Sequence, residues 1–306
     1  MNEVNKVRFF SGLLVILVLA GASGCATTVK DTERYKPPES LLEILADFHR
    51  HLDDDTYRFS TFKDITGQSI YKATLIRLNN FERLYPNKFS PIVAFSRAKA
   101  YEKLNDYDAA AASYRQLIGI GSELEPEAKE GLKACQAFLA ANEMPSVDGS
   151  IPLTLKAFEK RRERLEKLVR QSQGTPYEYL ALELLERSDV ERVRFFEANR
   201  NKIPSGTELT IVEYNRIIKR HEESKNVYRH ILRLGEFFES LAREYSELNN
   251  PEGLGFSMDE FQSYADSAMG LYSMVASKDG IIEKAEAQGL ANSLRAYIAK
   301  VRSLHR

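Results

Sequence analysis

From Ser40 onward, apolar side chains recur at three- and four-residue intervals, and that period constrains the fold more than any other feature of the chain. Leu41, Leu45, Phe48 and Leu52 form one stripe; Val227, Ile231, Leu234, Phe238, Leu241, Tyr245 and Leu248 form another. Side chains so spaced share a face on an α-helix, whereas a strand repeats every two residues. Only Thr56–Phe62 alternates as a strand does, and a single strand has no ladder partner. The spacing predicts an all-α protein.

Helix starts can be placed from local chemistry. Ser/Thr-x-x-Glu capping boxes stand at Ser40/Glu43, Thr175/Glu178, Ser188/Glu191 and Ser257/Glu260. Ser90-Pro91 and Glu125-Pro126 put proline at a first helical position, where its missing N–H costs nothing. Two stretches without a stripe, 142–152 (NEMPSVDGSIP) and 249–256 (NNPEGLGF), read as breaks. They divide the body into 40–144, a long-helix region at 153–248 and a C-terminal helical hairpin at 257–306. Within 208–248 the polar run Lys219–Asn226 either breaks the helix or carries it through solvent.

With 306 residues, 43% of them hydrophobic and a formal net charge of −1, the chain has apolar content for a large core and lacks the basic footprint of a nucleic-acid binder. Two cysteines cannot make a disulfide framework.

The N-terminus reads as an address. Lys6 and Arg8 precede the apolar run Phe9–Ala22, which is short for a membrane span of about 20 residues. Ala22-Ser23-Gly24-Cys25 follows, and it resembles the lipobox of bacterial lipoproteins, with Ala22 where leucine is commonest. The resemblance implies cleavage of a 1–24 signal peptide and acylation (palmitate among the chains) of Cys25, anchoring the protein in the bilayer. Two or more chains anchor stably at roughly 0.8 kcal/mol per buried methylene. Ala26, which is not aspartate, implies by the family's sorting rule an outer-membrane anchor facing the periplasm. Residues 25–39, polar with a Pro37-Pro38 pair, form the tether; the fourteen from 26 to 39 reach about 46 Å at roughly 3.3 Å each.

Residues 91–118 carry a second pattern. Ala98 and Tyr101 precede the short turn Leu104–Tyr107, and Ala110 and Tyr114 follow it. Small residues let two helices approach while tyrosines fill the space beside them. The spacing resembles the tetratricopeptide repeat, with Arg97 where leucine is usual, Leu117 where alanine is usual, and Ser122 where the terminal proline is expected. The resemblance covers about 70–140 and implies a TPR-like α-α superhelix of helical hairpins, closed by further helices. By position it implies a partner-binding groove at Ile92, Phe95, Ser96, Lys99, Glu102 and Lys103. Phe95 is either an apolar anchor for a partner or a packing residue against the neighbouring repeat.

Catalytic motifs are scarce. No G-x-S-x-G, Walker A, H-E-x-x-H or C-x-x-C occurs. His49/Asp53 and His51/Asp55 have the four-residue spacing of metal ligands, but they read as a solvated helix end. The Glu-Ser pairs at 39–40, 223–224 and 239–240 lack the surroundings found in lysozyme-like peptidoglycan lyases. Lys156–Arg170 forms a cationic amphipathic helix with Glu163/Lys167 and Glu166/Arg170 at supporting spacing. Cys135 lies on an apolar stripe and reads as a buried thiol.

These readings predict a membrane-anchored, non-catalytic helical scaffold that binds another envelope protein and needs no metal, cofactor or nucleic acid. Two other expectations stand beside it: a peptidoglycan-acting envelope enzyme with an unassigned acid, and a structural spacer built on 154–248.

Overall fold

The structure, a computed structural model, describes residues 36–54, 67–145 and 149–305. The leader, Cys25, most of the tether and the strand-like Thr56–Phe62 lie outside the described residues. The chain divides into two compact units, 1–43 and 44–306. Of the first, the described part is Lys36 and the opening turns of helix α1 (Pro37–Asp54), where the Ser40 N–H donates to the Lys36 carbonyl at 3.0 Å. That helix begins ahead of the Ser40/Glu43 capping box, so Ser40 sits inside its first turn.

In the second unit α2 (Ser69–Leu84), α3 (Ser90–Lys103), α4 (Tyr107–Ile120) and α5 (Glu125–Asn142) are followed by α6 (Ile151–Ser172) and α7 (Glu178–Asn199). A 3₁₀ turn at Arg200–Lys202 leads to α8 (Gly206–Arg220), α9 (Val227–Leu248), α10 (Met258–Ala276) and α11 (Glu283–Leu304). No strand occurs among the described residues, and the fold is all-helical. Each helix from α2 to α11 packs on the next, and α5 with α7 and α9 with α11 also touch. No helix among the described residues is long and apolar enough to cross a membrane.

The hairpin α3–α4 follows directly from its sequence. Asn105 takes the left-handed conformation (φ 60°) that asparagine tolerates. Its N–H reaches the Glu102 carbonyl at 2.9 Å while the Asp106 N–H reaches that of Tyr101 at 3.0 Å, closing α3 with a Schellman motif. Asp106 then caps α4 by accepting from the Ala109 N–H at 3.1 Å. Ala94, Ala98, Ala110 and Ala111 are buried in the shared core, so the two backbones approach closely.

Tyrosine against glycine recurs as a packing device. The Tyr114 ring covers Gly131 of α5 so closely that a Cβ there would lie 2.3 Å from Cζ. Tyr272 of α10 covers Gly235 of α9 in the same way, at 2.6 Å from Cε1.

The apolar core around Ala98 and Tyr114 continues through Leu165 of α6 to Leu180, Leu184 and Leu185 of α7, across the break expected at 142–152. A second cluster joins α9, α10 and α11, and a third (Val193, Tyr214, Ile217, Leu234, Phe237, Leu241) links α7, α8 and α9. The polar run after Lys219 breaks the helix: α8 ends at Arg220 and α9 starts at Val227. The Ser188/Glu191 capping box starts no helix, because α7 runs unbroken through it.

Candidate functional site

Helix α7 combines the buried apolar residues of a core helix with buried Glu186, Ser188, Asp189 and Arg192. Charges removed from water must be paired, and each of these is. Asp189, 2% exposed, accepts from Arg220 Nη1 and lies 3.1 Å from His221 Nε2. Glu186 accepts from Ser224 Oγ at 2.8 Å and from Asn226 Nδ2 at 3.4 Å, and lies 2.6 Å from His230 Nε2. Arg192 donates to Glu213 of α8 at 3.1 Å. Arg161 of α6 donates to Ser188 Oγ at 2.9 Å and to Glu191 at 2.6 Å.

This network clamps the α8–α9 turn, His221–Asn226, onto the middle of α7. Burial works to raise both carboxyls. On Glu186 the His230 and Ser224 hydrogen bonds outweigh it; on Asp189 His221 and Arg220 do, so both titrate below their ordinary values. An ionised carboxylate only accepts, which makes Nε2 of each histidine the donor.

Two cavities of about 700 Å³ flank the network. The first is walled by Val190, Val193, Arg194 and Glu197 of α7, Tyr214 and Ile217 of α8, and α9 from Arg229 to Arg243. The second lies between Lys103 at the end of α3, the Tyr179–Glu186 half of α7 and the turn Arg220–Lys225. Asn226 and His230 line the first cavity and Glu186 and Ser224 the second, so their hydrogen bonds form the partition.

The residues expected to form a groove on α3 divide between surface and interior. Ile92 is 36% exposed, and Lys103 lines the second cavity. Phe95 packs on its own hairpin, edge-on to Tyr114 at 6.0 Å. Ser96 is buried, as is Glu102 at 2% exposure.

Glu102 holds Lys99 Nζ at 2.9 Å and accepts from Tyr114 OH at 2.7 Å, with Cys135 Sγ 3.9 Å away. Lys99 also lies 4.9 Å above the Tyr177 ring, which ties α3 to the residue preceding α7. Burial alone would lower the Lys99 pKa, yet Glu102 and Tyr177 raise it above the usual value. Burial, reinforced by Glu102, pushes the Cys135 thiol up to about 12, which leaves it protonated and unreactive.

Among the described residues no group of three or more His, Cys, Asp and Glu is arranged to hold a metal. His51 Nδ1 lies 2.7 Å from the Asp47 carbonyl, and the side chains of Asp53, Asp54 and Asp55 fall outside the described residues. Of the Glu-Ser pairs, Glu223 is exposed beside Ser224, and Glu239 is engaged by Arg243 and Tyr272.

The α7 network escaped the sequence reading because its members are 31 to 44 residues apart in its main links, from Asp189–Arg220 to Glu186–His230. One signal was present: Glu186, Asp189 and Arg192, at three-residue intervals, stand on a helix whose neighbouring positions are apolar. No known protein family and no curated protein matches this chain.

Proposed function

We propose that the protein is a lipid-anchored helical scaffold, held through acylated Cys25 in a bacterial outer membrane and facing the periplasm, with a TPR-like hairpin stack that docks another envelope protein. The cleft between Lys103, α7 and the α8–α9 turn carries this reading. Tyr179, 50% exposed, and Leu182, 37% exposed, stand in its wall beside ionisable groups, a mixture suited to a protein partner. The clamped turn keeps that wall rigid, so little ordering cost falls on association. Tyr114 over Gly131 and the three-residue turn at 104–106 support the repeat-like hairpin.

A murein-cleaving acid at neutral pH needs a carboxyl with a raised pKa. Glu186 and Asp189 are shifted the other way, which favours docking over that chemistry.

The test combines a photo-crosslinking residue at position 182 in intact cells with a murein-release assay on purified protein. An adduct with a specific envelope protein and no soluble muropeptide is the expected outcome. Murein turnover without an adduct overturns the proposal. Cys25→Ala is expected to leave the leader uncleaved and alter detergent partition; normal maturation of that variant removes the anchor.

A further inference from the structure

Helix α6 carries charge that the fold leaves unpaired. Its inner side, with Ala157, Phe158, Arg161, Leu165 and Leu168, is buried. Lys156, Lys160, Glu163, Lys167 and Arg170 are exposed and follow one another at alternating four- and three-residue steps, so they form one outward stripe. The stripe runs for roughly 21 Å at about 1.5 Å per residue. Among the described residues none of the five has a hydrogen-bond or ion-pair partner, although the Glu163/Lys167 spacing allows one. The acids beside the stripe are matched by other cations. Glu159 lies 3.7 Å from Arg192 of α7, and Glu166 lies 3.4 Å from Arg220 of α8 and 3.7 Å from Arg162. Glu143, exposed at the end of α5, stands beside Arg164, which donates to the carbonyls of Ala141 and of Glu143 itself. Four cations therefore face water against one carboxylate, in a chain whose net charge is −1. Lys156 and Lys160 repel each other at four-residue spacing, as do Lys167 and Arg170 at three. Glu163 offsets part of that repulsion, and a row of opposite charges laid along the stripe would offset the rest.

From this charge pattern we infer that the outer face of α6 docks an acidic segment of another protein, laid along the helix with its carboxylates against Lys156, Lys160, Lys167 and Arg170. Leu153, 54% exposed, stands one turn before Lys156 and adds an apolar contact at that end. An anionic bilayer is the other surface of matching charge, and α6 is poorly shaped for it. An interfacial helix turns its apolar side to the lipid, whereas that side of α6 is core. One row of cations on a convex helix also meets a line of charges better than a plane. The face shares no residue with the cleft beside Lys103 and Leu182. Exposed charges mainly steer and select, so the interaction weakens as salt screens it.

The experiment measures fluorescence anisotropy of labelled peptides, about four helical turns long, on the purified full chain at low salt. One peptide carries glutamates at alternating four- and three-residue steps and a leucine near one end; a second has lysine in place of every glutamate. The acidic peptide is expected to bind at least roughly tenfold tighter, and to loosen as salt rises. Lys156→Gln/Lys160→Gln/Lys167→Gln/Arg170→Gln is expected to weaken it by roughly tenfold. Lys88→Gln/Lys202→Gln/Lys278→Gln/Lys300→Gln removes the same charge from four other exposed positions and is expected to leave affinity within about twofold. Equal loss in the two variants, or no preference for the acidic peptide, overturns the inference.

Flotation with phosphatidylcholine vesicles, with and without phosphatidylglycerol, tests the lipid alternative. The parent and the α6 variant are expected to float alike on both; a phosphatidylglycerol-dependent gain that the α6 variant loses overturns the protein occupant. The position-182 crosslink reads the cleft alone, so a failure there and a failure on α6 are told apart.

Discussion

Glu102 shows how one side chain can organise a helical stack. It lies at the end of α3, in the interior, and gathers Lys99 from its own helix, Tyr114 from α4 and the Cys135 thiol from α5. Removing one partner of a buried, hydrogen-bonded charge leaves the others desolvated and unpaired, and that cost exceeds the worth of the bond itself. Lys99 is partly exposed and can turn toward water, so Glu102→Ala is expected to lose about 2–3 kcal/mol and not the larger penalty of a fully trapped cation. Tyr114→Phe deletes one hydroxyl hydrogen bond and is expected to lose about 1 kcal/mol. Urea titration checks both, through a lower midpoint at unchanged slope. The TPR-like spacing implied that Glu102 lines a groove. The residues beside it explain why it turns inward: Tyr114 reaches the same interior, and its hydroxyl needs an acceptor there.

Individual helices were legible wherever a local signal fixes a backbone state. Pro91 and Pro126 mark true starts, and Ser257 caps α10 by accepting from the Glu260 N–H at 3.3 Å. The same capping pattern at Ser188/Glu191 failed because apolar contacts on both sides of it hold one continuous helix, and its serine hydroxyl serves Arg161 instead. Glycine behaves with similar dependence on context. Gly131→Ala would drive a Cβ into the Tyr114 ring at 2.3 Å from Cζ and is expected to cost about 1–3 kcal/mol by overpacking. Gly270, helical and exposed with no atom within 4 Å of an added Cβ, is expected to gain about 0.5–1 kcal/mol on Gly270→Ala. Opposite shifts in thermal midpoint check the pair. Equal shifts would mean that the Tyr114–Gly131 contact does not limit how closely α4 and α5 approach.

For the molecule as a whole, helical class followed from periodicity, which each segment carries for itself. The polar network and its cavities did not, because α6, α7, α8 and α9 bring together groups distant in sequence, and no spacing rule relates Glu186 to His230. That network contributes to how the folded second unit responds to acid. Glu186 and Asp189 have folded pKa values below their ordinary ones, so the unfolded chain binds protons first as pH falls. Their contribution to stability is present in full above the unfolded carboxylate range, near pH 4, and is lost as pH drops through the lower folded values. Thermal midpoints should therefore fall steeply below about pH 4. Glu186→Gln and Asp189→Asn should each lower the midpoint at pH 7, since a neutral amide pairs less well with His230, or with His221 and Arg220. Each should also flatten the acid limb, because the titrating carboxylate is gone. A limb as steep in the double variant as in the parent would assign acid lability to other carboxylates and leave the clamp on the α8–α9 turn without a part in it.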